Sequence, residues 1–80
     1  MHQTSLTVVD ALRDSLVQEA EHIFSESPYH SMRGLRCEFN DGTLTIAGLV
    51  PNFYLKQLAQ IAVQHLDGVR RIRNLIEVAV

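Results

Sequence analysis

The sequence offers few side chains for thiol or metal chemistry, because Cys37 is the only cysteine among its 80 residues. A lone cysteine excludes an internal disulfide. The four histidines follow no HxH or HxxxH spacing. Cys37 and His30 together would supply only two of the roughly four ligands that a structural zinc site needs. The sequence therefore predicts no metal and no cofactor.

Long apolar runs and an excess of charge of one sign are also missing. Nowhere do about 18 apolar residues follow one another, so no segment is expected to span a membrane. The N-terminus has no basic start and no apolar run of signal-peptide length, which predicts a cytoplasmic protein. A formal net charge of −2 and the lack of a GxxG loop disfavour binding to nucleic acid.

A catalytic constellation is missing as well. The sequence contains no nucleophile elbow of the GxSxG kind. Cys37 alternates onto the same face as Leu35 and Phe39, so we interpret it as a small core residue and not as a nucleophile. Asp41 stands beside Gly42, where it is better explained as a turn former than as a catalytic acid. We expect no enzyme.

The first pattern that is present is helical. Apolar residues recur at spacings of three and four through the first third of the chain, which predicts a helix over about residues 6–26. Ser5 or Thr7 is the expected cap. Pro28 ends the helix, because the residue before a proline avoids the helical conformation. Residues 27–34 are then predicted to form a loop.

A hairpin is the next predicted element. Apolar and polar residues alternate over residues 35–39 and again over 43–47, which indicates two strands. Asp41 and Gly42 between them supply the positive φ angles of a tight turn. Gly48 interrupts the second strand near its end and predicts a bulge or the close approach of a neighbouring backbone.

A second helix and a third strand complete the pattern. Asn52 is the expected cap of a helix that Gly68 terminates after about residue 66. Alternation returns over residues 69–80 and predicts one last strand. The order αββαβ predicts an α+β fold, and the length allows a single domain over residues 1–80.

Small and apolar residues recur at defined places in the hairpin, the second helix and the last strand. They are Asp41, Gly42, Leu44, Ile46, Gly48, Val50, Ala59, Ala62, Gly68, Val69, Ile72, Asn74, Ile76 and Val78. This series resembles the BON (bacterial OsmY and nodulation) domain family over about residues 10–80. The resemblance implies two helices packed on one face of a three-stranded mixed sheet, and a non-catalytic role in binding protein partners or phospholipid membranes.

The face of the sheet opposite the helices is the first candidate for binding. Arg71, Arg73 and Leu75 alternate onto it from the last strand, and Arg36 joins them from the first. A solvated face of cross-paired charges is the alternative, because glutamates share this side. We predict docking of a protein partner or of a second copy here. The alternative function is peripheral binding of anionic phospholipid through these arginines.

Tyr29 and Met32 are further candidate contacts, in the loop over residues 27–34, although packing within the protein is an equal alternative. Asn74 falls on the apolar side of the last strand, where a buried amide needs hydrogen-bond partners, and the backbone near Gly48 is the expected source. The residues expected to matter for the fold are Gly42, Gly48, Gly68 and Asn74.

Overall fold

The structure is a computed structural model that describes the backbone of residues 8–79 and the side chains of residues 13–79. The expected caps Ser5 and Thr7 lie outside the described residues. The elements, in chain order, are helix α1 (Val8–Ser25), a short 3-10 helix (His30–Gly34), strands β1 (Arg36–Asn40), β2 (Thr43–Ala47) and β3 (Leu49–Val50), helix α2 (Phe53–Val63), and strands β4 (Arg71–Asn74) and β5 (Glu77–Val78).

Helix α1 packs one side on the sheet, as its periodicity predicts. Leu16, Ala20 and Phe24 repeat every fourth residue, and all three are buried. The helix ends at Ser25, close to the predicted end. The loop predicted after it contains the short 3-10 helix, which the sequence analysis did not predict.

The hairpin between β1 and β2 is confirmed. The two strands are antiparallel, with Cys37 opposite Ile46. Asp41 and Gly42 adopt φ angles of 49° and 79° at the turn. Positive φ at both positions matches the twist of the flanking strands, so the turn fixes the register of the pair.

The prediction of one unbroken last strand over residues 69–80 was wrong. The structure has two short strands, β4 parallel to β2 and β5 parallel to β3. The backbone N–H of Leu75 still donates to the carbonyl of Ile46 at 2.8 Å, and that of Glu77 donates to Gly48 at 2.9 Å. The amide N–H of Ile76, however, donates to the Asn74 side chain at 3.1 Å. The chain is therefore hydrogen bonded throughout this break.

Helix α2 returns the chain to the sheet. The Asn52 side chain accepts a hydrogen bond from the Leu55 backbone N–H at 2.9 Å, which confirms the predicted cap. The helix ends at Val63, earlier than predicted. The resulting three-stranded mixed sheet has the order β1-β2-β4, and the fold is α+β.

Both helices contribute to one core on the inner face of the sheet. The buried core residues are Leu16, Ala20, Phe24, Met32, Leu35, Cys37, Leu44, Ile46, Val50, Leu55, Ala59, Val63, Leu66 and Ile76. Residues of β1, β2 and β4 alternate between this core and the opposite side. The helices therefore leave the opposite side of the sheet uncovered.

Candidate functional site

The side of the sheet opposite the helices is the first candidate surface, and we call it the outer face. It is formed by Arg36, Glu38, Asn40, Thr43, Thr45, Ala47, Arg71, Arg73 and Leu75, all of them exposed or half-buried. The predicted positions of Arg36, Arg71, Arg73 and Leu75 on one exposed face agree with this arrangement. Whether they contact a partner remains a prediction.

The strand register arranges the outer face in rows across the sheet. Glu38 lies opposite Thr45, and Thr45 lies opposite Arg73. Thr45 is on the central strand, so the carboxylate and the guanidinium project from the two edge strands on either side of it. Each edge strand is about 4.8 Å from the centre. The row thus carries opposite charges at its two ends.

The next row is less polar at its centre. Arg36 lies opposite Ala47 on the central strand, and Leu75 follows β4 beside them, hydrogen bonded to Ile46. Leu75 is 49% exposed, one of several large apolar side chains that are exposed among the described residues. A shallow depression of about 220 Å³ lies here. Its lining residues are Arg36, Cys37, Glu38, Thr45, Ala47 and Leu75.

Asn74 connects the sheet to helix α2. Its side-chain N–H group donates to the backbone carbonyl of Lys56 at 3.0 Å and to the side-chain oxygen of Gln60 at 3.3 Å. Its side-chain oxygen accepts from the Ile76 backbone N–H at 3.1 Å. The expectation that the backbone near Gly48 supplies the partners was wrong, because the side chain points to the helix and not along the sheet. The amide is nevertheless well satisfied.

Gly48 is closely approached by Leu35, the residue that precedes β1. Its φ is +148°, and a Cβ added there would lie 2.5 Å from Cδ2 of Leu35 and 3.4 Å from its Cα. The approaching group is therefore chiefly the Leu35 side chain, whereas the sequence predicted a bulge or a neighbouring backbone. At Gly68, after helix α2, an added Cβ would lie 3.1 Å from Leu16 of α1. The backbone carbonyl of Gly42 accepts a hydrogen bond from the backbone N–H of Arg70 at 2.7 Å, which links the hairpin turn to the start of β4.

Comparison with known protein families identifies the family of this chain. A family model for the BON domain matches residues 11–80, which is nearly the whole chain. The chain belongs to the BON domain family. The resemblance seen in its glycine and apolar positions is thereby confirmed. Domains of this family are generally binding modules. A search of curated proteins gave no match.

The two candidate contact residues in the loop of this BON domain, Tyr29 and Met32, differ in their exposure. Tyr29 is 40% exposed and contacts Tyr54 edge to face, with ring centroids 6.4 Å apart. Met32 is only 3% exposed. The expectation of a surface contact for Met32 was wrong, because the 3-10 helix turns its side chain into the core. The contact between Tyr29 and Tyr54 joins the loop to helix α2, a pairing that local sequence patterns do not reveal.

A groove between α1 and β1 is a second concave region of the BON domain, with a volume of about 410 Å³. Next to it, the backbone N–H of Cys37 donates to the Glu21 carboxylate at 3.1 Å. Burial, followed by the nearby Glu21 charge, raises the pKa of the Cys37 thiol to about 12. The thiol is therefore protonated at neutral pH, as suits a core residue. The role of Glu21 was missed because its partner is distant in sequence.

Within residues 8–79 of this BON domain, no helix is long and apolar enough to cross a membrane. In the same part of the chain, no group of three or more His, Cys, Asp or Glu side chains could hold a metal ion.

Proposed function

We propose that this BON domain is a non-catalytic binding module that docks a protein surface on its outer face. The observation that carries the proposal is the uncovered side of the sheet, which combines charged ends with a depression that includes Leu75 and Ala47. Membership of a family of binding modules agrees with this function.

The distribution of groups on the outer face suits a protein partner. Interfaces typically have a more apolar centre and a polar rim, with arginine enriched and paired charges for specificity. Here Ala47 and Leu75 form the apolar part of the depression, while Arg36, Arg73 and Glu38 lie around them. A surface that carries charges of both signs can select a partner by complementary charges and does not attract polyanions in general.

Site-specific photo-crosslinking in living cells tests the proposal. We expect a crosslinking residue in place of Thr45, at the centre of the outer face, to give defined protein adducts. The same residue in place of Glu19, exposed on α1, is the control and should give none of these adducts. Adducts are separated by mass and identified by mass spectrometry. Equal labelling from both positions, or none from Thr45, would contradict docking at the outer face.

Binding of anionic phospholipid is the second candidate function. Arg71 and Arg73 are both exposed on β4, which forms one edge of the three-stranded sheet, so two guanidinium groups can reach one lipid surface. Each basic residue near such a surface contributes about 1 kcal/mol of attraction. The glutamate in the same row opposes this attraction, which makes lipid the second candidate.

Flotation with phosphatidylglycerol vesicles tests this candidate. We expect binding at low salt, with a loss of about tenfold or more when Arg71 and Arg73 are both replaced by glutamine. The control replaces Gln18 and Gln57, exposed on the two helices, by glutamate, which changes the net charge by the same two units. Equal losses in both double variants would indicate a net-charge effect, and a wild-type chain that stays with the unbound fraction removes lipid as a ligand.

A further inference from the structure

We propose that the occupant of the outer face is a second copy of this chain, stacked face to face about a two-fold axis that runs along β2. This inference rests on the proposed function and names the partner. In the resulting pair, Glu38 of each copy meets Arg73 of the other, and each Leu75 enters the depression of the other copy.

Charge complementarity supports a second copy. Glu38 and Arg73 are in the same row, one strand to either side of Thr45. The axis is parallel to β2, passes over Thr45 and lies midway between the stacked sheets. A rotation of 180° about it places each edge strand of one copy over the other edge strand of its partner. It therefore places each carboxylate over the arginine of the other copy and produces two ion pairs from one row.

In the neighbouring rows, the same rotation brings no two side chains of like charge together. In the next row, Leu75 of one copy comes over Arg36 of the other, whose aliphatic stem can pack against it. In the row on the other side, Arg71 comes over Asn40, because both are opposite Thr43. A self-complementary surface is what an isologous interface requires.

The depression explains the preference for this axis. Its lining includes the chain's own Leu75 beside β4 and Thr45 and Ala47 on β2, and it extends to the β1 side, where Arg36, Cys37 and Glu38 line it. The rotation along β2 brings the exposed Leu75 of the other copy to that side. A two-fold axis perpendicular to the strands, between the rows of Thr45 and Ala47, would pair Glu38 with Arg36. It would also leave the depression of each copy without the Leu75 of the other.

The size of the face sets the expected strength. Three strands about 4.8 Å apart and four or five residues long present roughly 250 Å² per copy before side chains are counted, which is below the roughly 800 Å² per partner of a standard specific interface. We therefore expect a reversible dimer with a dissociation constant of about 0.1–1 mM. In sedimentation equilibrium from about 10 µM to about 2 mM, the average mass should rise from 9.0 kDa towards twice that value.

Charge reversal tests the geometry. Glu38→Arg and Arg73→Glu alone are each expected to weaken the dimer about tenfold or more, because each places like charges face to face. The double variant with both changes restores opposite charges and should return the dissociation constant to within about threefold of the wild-type value. Thermal unfolding of each variant checks that the single variants are folded.

A matched double variant, Arg36→Glu with Glu38→Arg, separates the two axes. It should stay monomeric if Glu38 meets Arg73, and its recovery of the dimer would overturn the proposed axis. A wild-type chain that remains at 9.0 kDa up to about 2 mM would overturn the dimer itself. In that case, adducts of the Thr45 crosslinker with a different protein would still support the proposed binding function. No adducts at all would contradict both proposals.

Discussion

Replacement of Gly48 by valine is expected to unfold the domain. A Cβ at this position would lie 2.5 Å from Cδ2 of Leu35, and the φ of +148° is one that side-chain-bearing residues rarely adopt. Strain of this kind and overpacking each cost about 1–3 kcal/mol. Because Leu35 is itself in the core, it has little room to move. The sum approaches the total stability of about 5 kcal/mol expected for a domain of this size.

Gly34→Val is the matched control for Gly48→Val. At Gly34, an added Cβ would meet nothing within 4 Å, and no positive φ is required. We expect its free energy of unfolding to stay within about 1 kcal/mol of the wild-type value. Far-UV circular dichroism and urea unfolding measure both variants. A Gly48→Val chain with a wild-type urea midpoint would contradict the close approach of Leu35.

Replacement of Asn74 by leucine should lower the free energy of unfolding by about 2–4 kcal/mol. The substitution keeps the size of the side chain but removes its hydrogen bonds to Lys56, Gln60 and the Ile76 backbone N–H. It leaves the partly buried Lys56 carbonyl without this donor and the Ile76 amide without its acceptor. Leaving the buried Ile76 N–H unsatisfied is what makes the loss large. Urea unfolding measures it directly.

Asn40→Leu is the matched control for Asn74→Leu, because it makes the same chemical change at an exposed position at the end of β1. We expect it to change stability by less than about 0.5 kcal/mol. Equal effects of the two variants would mean that the connection between Asn74 and helix α2 contributes nothing specific to stability.

The hairpin could be predicted from sequence because its determinants are local. Alternation assigns the two strands, and Asp41 with Gly42 supplies the positive φ angles that the structure has. The cap at Asn52 is local in the same sense, since it depends on a hydrogen bond to the third residue along. Patterns of this range were sufficient for the two helices, the hairpin between them and the α+β class.

The features that could not be predicted depend on contacts between distant segments. The break between β4 and β5 arises where Asn74 bonds to helix α2 and to Ile76, and alternation alone continues through it. Met32 is buried by a 3-10 helix that packs on α1, and no periodic pattern marks so short an element. The rows of the outer face likewise required the strand register, which places Arg73 beside Thr45.

The hydrogen bond from Cys37 to Glu21 has a consequence for how chains of this protein can associate. β1 is an edge strand, and an edge with unpaired N–H groups is a template for open-ended growth by strand addition. The Glu21 carboxylate occupies the outward N–H of Cys37 in the middle of that edge. An incoming strand would have to displace a charged acceptor before it could pair. Strand addition at this edge would therefore cost the hydrogen bond between Cys37 and Glu21.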